Sequence, residues 1–197
     1  MKKVLLFLLL LVSVQTFAQI RRTAVFDFTN PTALNPSITP EPENAQNVMV
    51  TDKVFKNLGV NISFNAIGQY PIGARIQTSV ISGETSYFLK LASISDMTFG
   101  VANGATLNEI RFSEETIFGG LYLKDGEAGT MNPYETYKKW EAGNSTSVSS
   151  VTFRNTDKDS HFLKIYVTYT EPSDVLAPIS TSIQQGSIVE SFSNISL

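Results

Sequence analysis

Apolar and polar residues alternate over much of this chain, most clearly near its C-terminal end. In the segment 163–170 every second residue is apolar: Leu163, Ile165, Val167 and Tyr169. A period of two is what a strand with one face on a hydrophobic core requires. Residues 151–154 alternate in the same way, and the polar stretch 155–160 between the two segments suits a turn. The pattern therefore predicts two strands joined as a β-hairpin.

Short alternating segments recur along the rest of the chain, separated by glycine, proline and asparagine. We predict further strands at 23–29, 48–54, 60–64, 75–80, 87–91, 95–101, 106–113 and 121–123. A helix of one or two turns is predicted only at 133–140, because Asn132 can cap it and proline suits the first helical position. Many short strands with frequent turns are typical of an all-β protein, either a sandwich or a closed barrel.

The first 18 residues have the organisation of a secretory signal peptide. Lys2 and Lys3 precede an apolar run at 4–14, and small residues up to Ala18 mark a cleavage site before Gln19. The apolar run is short for a membrane span, so a retained anchor is the less favoured alternative. We therefore expect a protein that is secreted, or exposed at the cell surface or in the periplasm, after cleavage near Ala18.

Composition excludes several kinds of partner and anchor. The chain contains no cysteine, so neither a lipid anchor on a cysteine nor a disulfide framework is available. The formal net charge is −3, and loss of two lysines with the signal makes it more negative. A mildly acidic surface rich in small polar residues argues against nucleic acid and against an anionic membrane as partners.

A series of short motifs runs in a fixed order along residues 26–170. It comprises Phe-Asp-Phe-Thr-Asn-Pro at 26–31, Leu-Asn-Pro at 34–36, Ile-Arg-Phe at 110–112, the step from Trp140 to Asn144, Ser-Val-Thr-Phe at 150–153 and Ile-Tyr-Val-Thr-Tyr at 165–169. This series resembles a family of secreted or cell-surface modules of gut anaerobes. The resemblance implies a jelly-roll-like antiparallel β-sandwich, and it brings no biochemical activity with it.

The C-terminal residues hold a second resemblance. Residues 186–197 are similar to the first strands of an immunoglobulin-like module. Because two strands cannot bury a face alone, one hypothesis makes 172–197 a linker and the start of a following module. The equally favoured alternative is that these residues pair onto an edge of the first module. The expected domains are the signal peptide at 1–18, the sandwich module at 19–171 and this C-terminal segment.

Catalytic groups are hard to assemble from this sequence. His161 is the only histidine, so a metal cluster containing several histidines is excluded, and a solvent-exposed turn is its favoured interpretation. Glu109, Glu114 and Glu115 are interpreted as a solvated rim, although paired carboxylates serve glycoside hydrolysis. Asp27 could join a structural Ca²⁺ site, but no spacing of oxygen ligands supports one. We predict no catalytic residue and no cofactor.

Aromatic residues are the better lead to a function. Tyr134, Tyr137 and Trp140 are three residues apart, which places them on one side of the predicted helix. Exposed aromatic rings are platforms for sugars, and Asn144 could bind sugar hydroxyls. The favoured alternative for Trp140 is that it closes the end of the core, because a single tryptophan is usually substantially buried. For the two tyrosines both interpretations stay open.

These observations predict an exported, non-catalytic β-sandwich module that acts in adhesion or binds a glycan or a surface protein. The main alternative is a purely structural module that spaces or caps its neighbours in a larger surface protein. A secreted hydrolase is the least favoured class, because the sequence has a single histidine and scattered carboxylates.

Overall fold

The computed structural model describes residues 19–39, 48–67, 73–81, 84–102, 104–133, 138–144 and 147–172. Most of these residues form antiparallel strands, in which successive side chains point to opposite faces. These residues belong to one unit, Gln19–Pro172. The strands are β1 (Ile20–Asp27), β2 (Val48–Met49), β3 (Val54–Asn57), β4 (Val60–Ala66), β5 (Ala74–Ile81), β6 (Glu84–Leu91), β7 (Ser95–Val101), β8 (Thr106–Phe112), β9 (Leu121–Leu123), β10 (Thr130–Pro133), β11 (Lys138–Glu141), β12 (Ser150–Asn155), β13 (Ser160–Phe162) and β14 (Lys164–Glu171). A short 3₁₀ helix, Pro31–Ala33, follows β1.

The strands form three antiparallel sheets. The first sheet has the order β1-β14-β8-β11-β10, the second β3-β4-β7-β12-β9 and the third β13-β6-β5-β2. The predicted all-β antiparallel class is therefore confirmed, and the paired sheets agree with a sandwich. Jelly-roll connectivity stays a prediction.

Phenylalanine rings hold the sheets together through one hydrophobic core. Phe112 of the first sheet lies edge-to-face with Phe153 of the second, with ring centroids 5.8 Å apart. It also contacts Phe162 of the third sheet at 5.3 Å. All three rings are buried, so each sheet turns its apolar face toward the same interior. Edge-to-face pairs of this kind add to the free energy gained from the buried area alone.

The predicted hairpin between residues 151–154 and 163–170 is wrong. Strand β12 pairs with β7 and β9 in the second sheet, whereas β14 pairs with β1 and β8 in the first. The intervening residues form a corner, because the side chain of Asn155 donates hydrogen bonds to the backbone carbonyls of Leu91, Ala92 and Lys158. Those contacts turn the chain toward the third sheet before β14 begins.

The predicted helix at 133–140 is also wrong. Residues 130–133 and 138–141 are strands that pair with each other, with Met131 opposite Trp140. Strand β11 pairs on its other side with β8, with Trp140 opposite Ile110. Hydrogen bonds along both edges of β11 outweigh the local capping signal of Asn132. Residues 134–137 lie outside the described residues.

No helix among the described residues is long and apolar enough to cross a membrane. The predicted signal peptide at 1–18 and the C-terminal segment from residue 173 also lie outside the described residues.

Candidate functional site

The aromatic site predicted from the sequence does not assemble around Trp140. Its side chain is 0% exposed, and its indole Nε1 donates a hydrogen bond to the carbonyl of Ala128 at 2.9 Å. The core interpretation is therefore the right one, and Trp140 as a sugar-stacking residue is wrong because its ring has no free face. Asn144 is exposed in the turn after β11. Tyr134 and Tyr137 lie outside the described residues and stay predictions.

Glycine at position 129 is what allows the indole to lie so close to the backbone. Gly129 has φ of +87°, and a Cβ there would lie 2.5 Å from the Trp140 Nε1. Glycine is needed at this position for two reasons: an L side chain would be strained at this φ, and its Cβ would collide with the indole ring.

His161 lies on strand β13, so its expected position in a solvent-exposed turn is wrong. The ring is half-buried and stacks obliquely on Phe88 with centroids 4.6 Å apart. Burial lowers the pKa of His161, and the nearby charges of Lys90 and Arg75 lower it further. An imidazole in this setting is neutral near pH 7.

The carboxylates considered for chemistry lie on β8 and in the turn that follows it. Glu114 and Glu115 are exposed in the turn after β8, and Glu109 lies on β8 with its Oε2 3.9 Å from the Lys139 ammonium. Within the described part of the chain, no three His, Asp or Glu side chains gather in a way that could hold a metal ion.

Asp27 has structural partners of its own. Its carboxylate accepts hydrogen bonds from the backbone and hydroxyl of Thr29, and it pairs with the Lys164 ammonium at 3.0 Å. Burial alone would raise the pKa of Asp27, but the hydrogen bonds from Thr29 and Lys164 lower it overall. These contacts occupy the carboxylate that a Ca²⁺ ion would have needed.

A cavity of about 690 Å³ opens beside the turn between β3 and β4. We call it the hairpin groove. Three residues with amide side chains line it, Asn35, Asn57 and Asn61, together with the apolar Val25 and Leu58. Both apolar residues are substantially exposed, at 40% and 56%. The groove therefore offers hydrogen-bonding and apolar surfaces side by side.

Backbone and side-chain hydrogen bonds set the walls of the hairpin groove. The Lys56 backbone N–H donates to the Asn35 carbonyl at 2.6 Å, which attaches the segment after the 3₁₀ helix to β3. The Asn57 Nδ2 donates to the Val25 carbonyl at 2.7 Å and joins β3 to β1. That amide keeps its Oδ1 as an acceptor for a ligand.

Asn61 has its space because glycine lies opposite it on β7. Asn61 pairs with Gly100 in the register of β4 and β7, and a Cβ at Gly100 would lie 2.7 Å from the Asn61 Oδ1. A larger residue at position 100 would displace the amide from the groove.

The turn that borders the groove carries an unusual backbone conformation. Leu58 has φ of 48° and Gly59 has φ of 81°, as a two-residue hairpin turn with both central residues left-handed requires. The Leu58 carbonyl accepts a hydrogen bond from the hydroxyl of Tyr169 on β14. Burial raises the pKa of Tyr169, so this hydroxyl remains a donor at neutral pH. A residue anchored in the core of the first sheet thus holds the turn of the second.

Sequence reasoning missed the groove because its amides come from positions 35, 57 and 61. The one local signal was the sequence Asn57-Leu58-Gly59 between two alternating segments, which predicts a tight turn with an apolar tip. Nothing local indicates that the first strand and the segment after it complete the wall.

Fold and groove together define an antiparallel all-β protein with an amide-lined cavity at one hairpin. Comparison of the chain with protein-family models, with curated proteins and with solved structures finds no match.

Proposed function

We propose that this protein is an exported, non-catalytic module that binds a glycan in the hairpin groove at the cell surface. The observation that carries the proposal is the composition of the groove. Amide residues from two segments, the β3–β4 hairpin and the stretch after the 3₁₀ helix, line a cavity whose volume lies in the range of small-molecule sites, about 300–1,000 Å³. Export is supported by the signal-like pattern of the first 18 residues.

Amides suit sugars because a sugar hydroxyl both donates and accepts hydrogen bonds, and an amide side chain has an oxygen that accepts and an NH₂ group that donates. The exposed Val25 and Leu58 side chains match the C–H faces of a sugar ring. Asp27, the carboxylate in the groove wall, is paired with Lys164. The exposed Lys56 also lines the groove and forms no ion pair among the described residues, so the groove favours a saccharide that is neutral or carries one acidic group beside Lys56.

A glycan array probed with the mature protein, followed by calorimetric titration of the best ligand, tests the proposal. We expect Asn61→Ala to weaken binding about tenfold, the loss of roughly one well-made hydrogen bond. Asn65→Ala is the matched control, because Asn65 lies on the same face of β4 but outside the groove. Its affinity should stay within about twofold of the wild type.

Two results would contradict the proposal. One is an array on which the mature protein binds no saccharide, which is the outcome that a purely structural spacer module predicts. The other is a bound saccharide whose affinity is unchanged by both Asn61→Ala and Asn35→Ala, since binding would then lie elsewhere on the surface.

A further inference from the structure

The outer face of the third sheet carries three basic side chains in a single row. The strand register places His161 of β13 opposite Lys90 of β6, and Lys90 opposite Arg75 of β5. The neighbouring residues Ile76 and Leu89 are buried in the core, so the row faces the other way. We call His161, Lys90 and Arg75 the basic row.

Only part of this positive charge is balanced. The Lys90 ammonium pairs with the Asp159 carboxylate at 2.6 Å, and the Asp159 carboxylate also accepts a hydrogen bond from the Ser93 backbone N–H at 3.0 Å. Arg75 forms no ion pair within the described part of the chain. One guanidinium charge is therefore left over beside a neutral imidazole.

Two buried polar atoms, one in the basic row and one beside it, also lack partners among the described residues. Arg75 Nε and Gln77 Oε1 are inaccessible to solvent and make no hydrogen bond within the described residues. The two residues lie on the same side of β5, two positions apart. Buried polar groups are nearly always hydrogen-bonded, and an unpaired donor on a guanidinium is among the most costly exceptions.

A half-buried aromatic ring completes the surroundings. Phe88 lies opposite Gln77 in the strand register and stacks on His161. Its ring excludes water from one side of the row, and charge interactions are stronger where water is excluded.

We propose that the basic row is a binding site for one oxyanion group: a sulfate, a phosphate or a carboxylate. The Arg75 and Gln77 side chains would turn on binding so that Nε and Oε1, which are inaccessible to solvent in the unbound protein, reach the anion. Arg75 would then hold two oxygens of the anion through Nε and a terminal nitrogen, the geometry in which a guanidinium binds oxyanions best. The His161 imidazole and the Lys90 ammonium supply further donors from the neighbouring strands. Gln77 Oε1 would accept from a hydroxyl, either on the anion or on the molecule that carries it. The site shares no residue with the hairpin groove, so it does not depend on the function proposed there.

The single histidine makes the test direct. We would titrate the mature protein with sodium sulfate, sodium phosphate or sodium acetate at constant ionic strength, following the His161 imidazole resonances by NMR. No other histidine exists in the sequence, so these signals report on the basic row alone. We expect saturable shifts with a Kd of roughly 1–10 mM for at least one anion.

Variants then separate this site from general electrostatics. Arg75→Gln should weaken binding at least tenfold. Arg75→Lys keeps the positive charge but loses the planar guanidinium that binds two oxygens at once, and it should weaken binding about threefold. Arg111→Gln removes the same charge from the first sheet, where the guanidinium lies 4.6 Å from the Tyr166 ring centroid, and should leave the titration unchanged. Asn61→Ala should also leave it unchanged.

A comparison between free sulfate and a sulfated polysaccharide distinguishes the two sources of such a group. Tighter binding of the polysaccharide, lost in Arg75→Gln, would identify the anion as part of a larger ligand, and equal binding per sulfate would identify a free ion. The proposal is overturned if none of the anions shifts the wild-type resonances below about 50 mM. It is also overturned if Arg75→Lys and Arg111→Gln titrate alike.

Discussion

At the scale of single residues, Asp96 shows how two cations keep a nearly buried carboxylate ionised on the second sheet. It is only 5% exposed, and the Arg154 guanidinium binds both of its oxygens, at 2.8 and 3.0 Å. The Lys124 ammonium lies 3.3 Å from the same carboxylate. Burial alone would raise the pKa of Asp96, but hydrogen bonds from Arg154 and Lys124 lower it below its ordinary value.

This lowered pKa predicts acid sensitivity with a definite sign. The unfolded chain binds a proton at a higher pH than the folded protein, so the stabilisation is present above the ordinary pKa of 3.8 and is lost as the pH falls through the folded value. Asp96→Asn should lower the free energy of unfolding at pH 7 by about 2 kcal/mol. It should also flatten the dependence of that free energy on pH between roughly 5 and 2.

Urea unfolding across this pH range measures both effects. Asp52→Asn is the control, because the Asp52 side chain is 76% exposed and its one ion pair among the described residues is with the adjacent Lys53. The control should follow the wild-type curve. Parallel curves for wild type and Asp96→Asn below pH 5 would show that Asp96 does not carry this dependence.

At the scale of elements, the β3–β4 hairpin combines strain with exposure. Leucine in a left-handed conformation costs roughly 1–2 kcal/mol relative to glycine or asparagine. Leu58 nevertheless has its carbonyl held by Tyr169 while its side chain lies 56% exposed beside the groove. A strained conformation of this kind is expected where an apolar side chain contributes more to ligand binding than to the stability of the fold.

Leu58→Asn separates these two roles. It creates the Asn-Gly pair that this turn favours, so the free energy of unfolding should rise by about 1 kcal/mol. Affinity for the glycan should fall roughly fivefold, because an apolar contact is lost. Leu58→Ala is the matched control, since it loses the contact without relieving the strain. Thermal unfolding and calorimetric titration check the pair. Unchanged stability of Leu58→Asn, or unchanged affinity of both variants, would contradict this account.

Elements also show where the sequence is informative and where it is not. Alternation located β9 at 121–123 and predicted the strand at 23–29, in which Ala24, Phe26 and Phe28 are buried, because an alternating pattern arises within each strand by itself. It could not say which strands pair, since the same alternation fits any sheet. Residues 155–160 looked like a hairpin turn because a polar corner and a polar turn have the same composition. The helix at 133–140 failed because its capping signal is local, whereas β8 lies elsewhere in the sequence.

The candidate sites follow the same logic. A single tryptophan in a sequence is compatible with a core residue and with an exposed platform for a sugar. The contacts of Trp140 with Ala128 and Gly129, which the sequence alone does not reveal, show that it is a core residue. The basic row joins positions 75, 90 and 161, which only the register of the third sheet brings together. Sites made of residues from several strands leave no contiguous motif in the sequence.

At the scale of the whole molecule, Asn155 connects the second sheet to the third. It is fully buried at the end of β12, and its Nδ2 donates to three carbonyls at 2.7 to 3.2 Å. Its Oδ1 accepts from the hydroxyl of Ser160 on β13, and that hydroxyl in turn accepts from the Gly119 backbone N–H. A hydrogen-bond network of this kind sets the position of β13 beside β6, and therefore the geometry of the basic row.

Asn155→Asp tests this connection with almost no change in shape. Replacing Nδ2 by an oxygen sets a buried carboxylate against three carbonyl oxygens, so the free energy of unfolding should fall by about 3–5 kcal/mol. Asn144→Asp makes the same chemical change at an exposed position in the turn after β11 and should cost no more than about 0.5 kcal/mol. If Asn155→Asp remains folded, the His161 resonances should no longer respond to oxyanions as in the wild type, because the register of β13 with β6 depends on Asn155. A variant with wild-type stability and an unchanged oxyanion titration would show instead that β13 is positioned by the hydrophobic core, through Phe162, and not by this network.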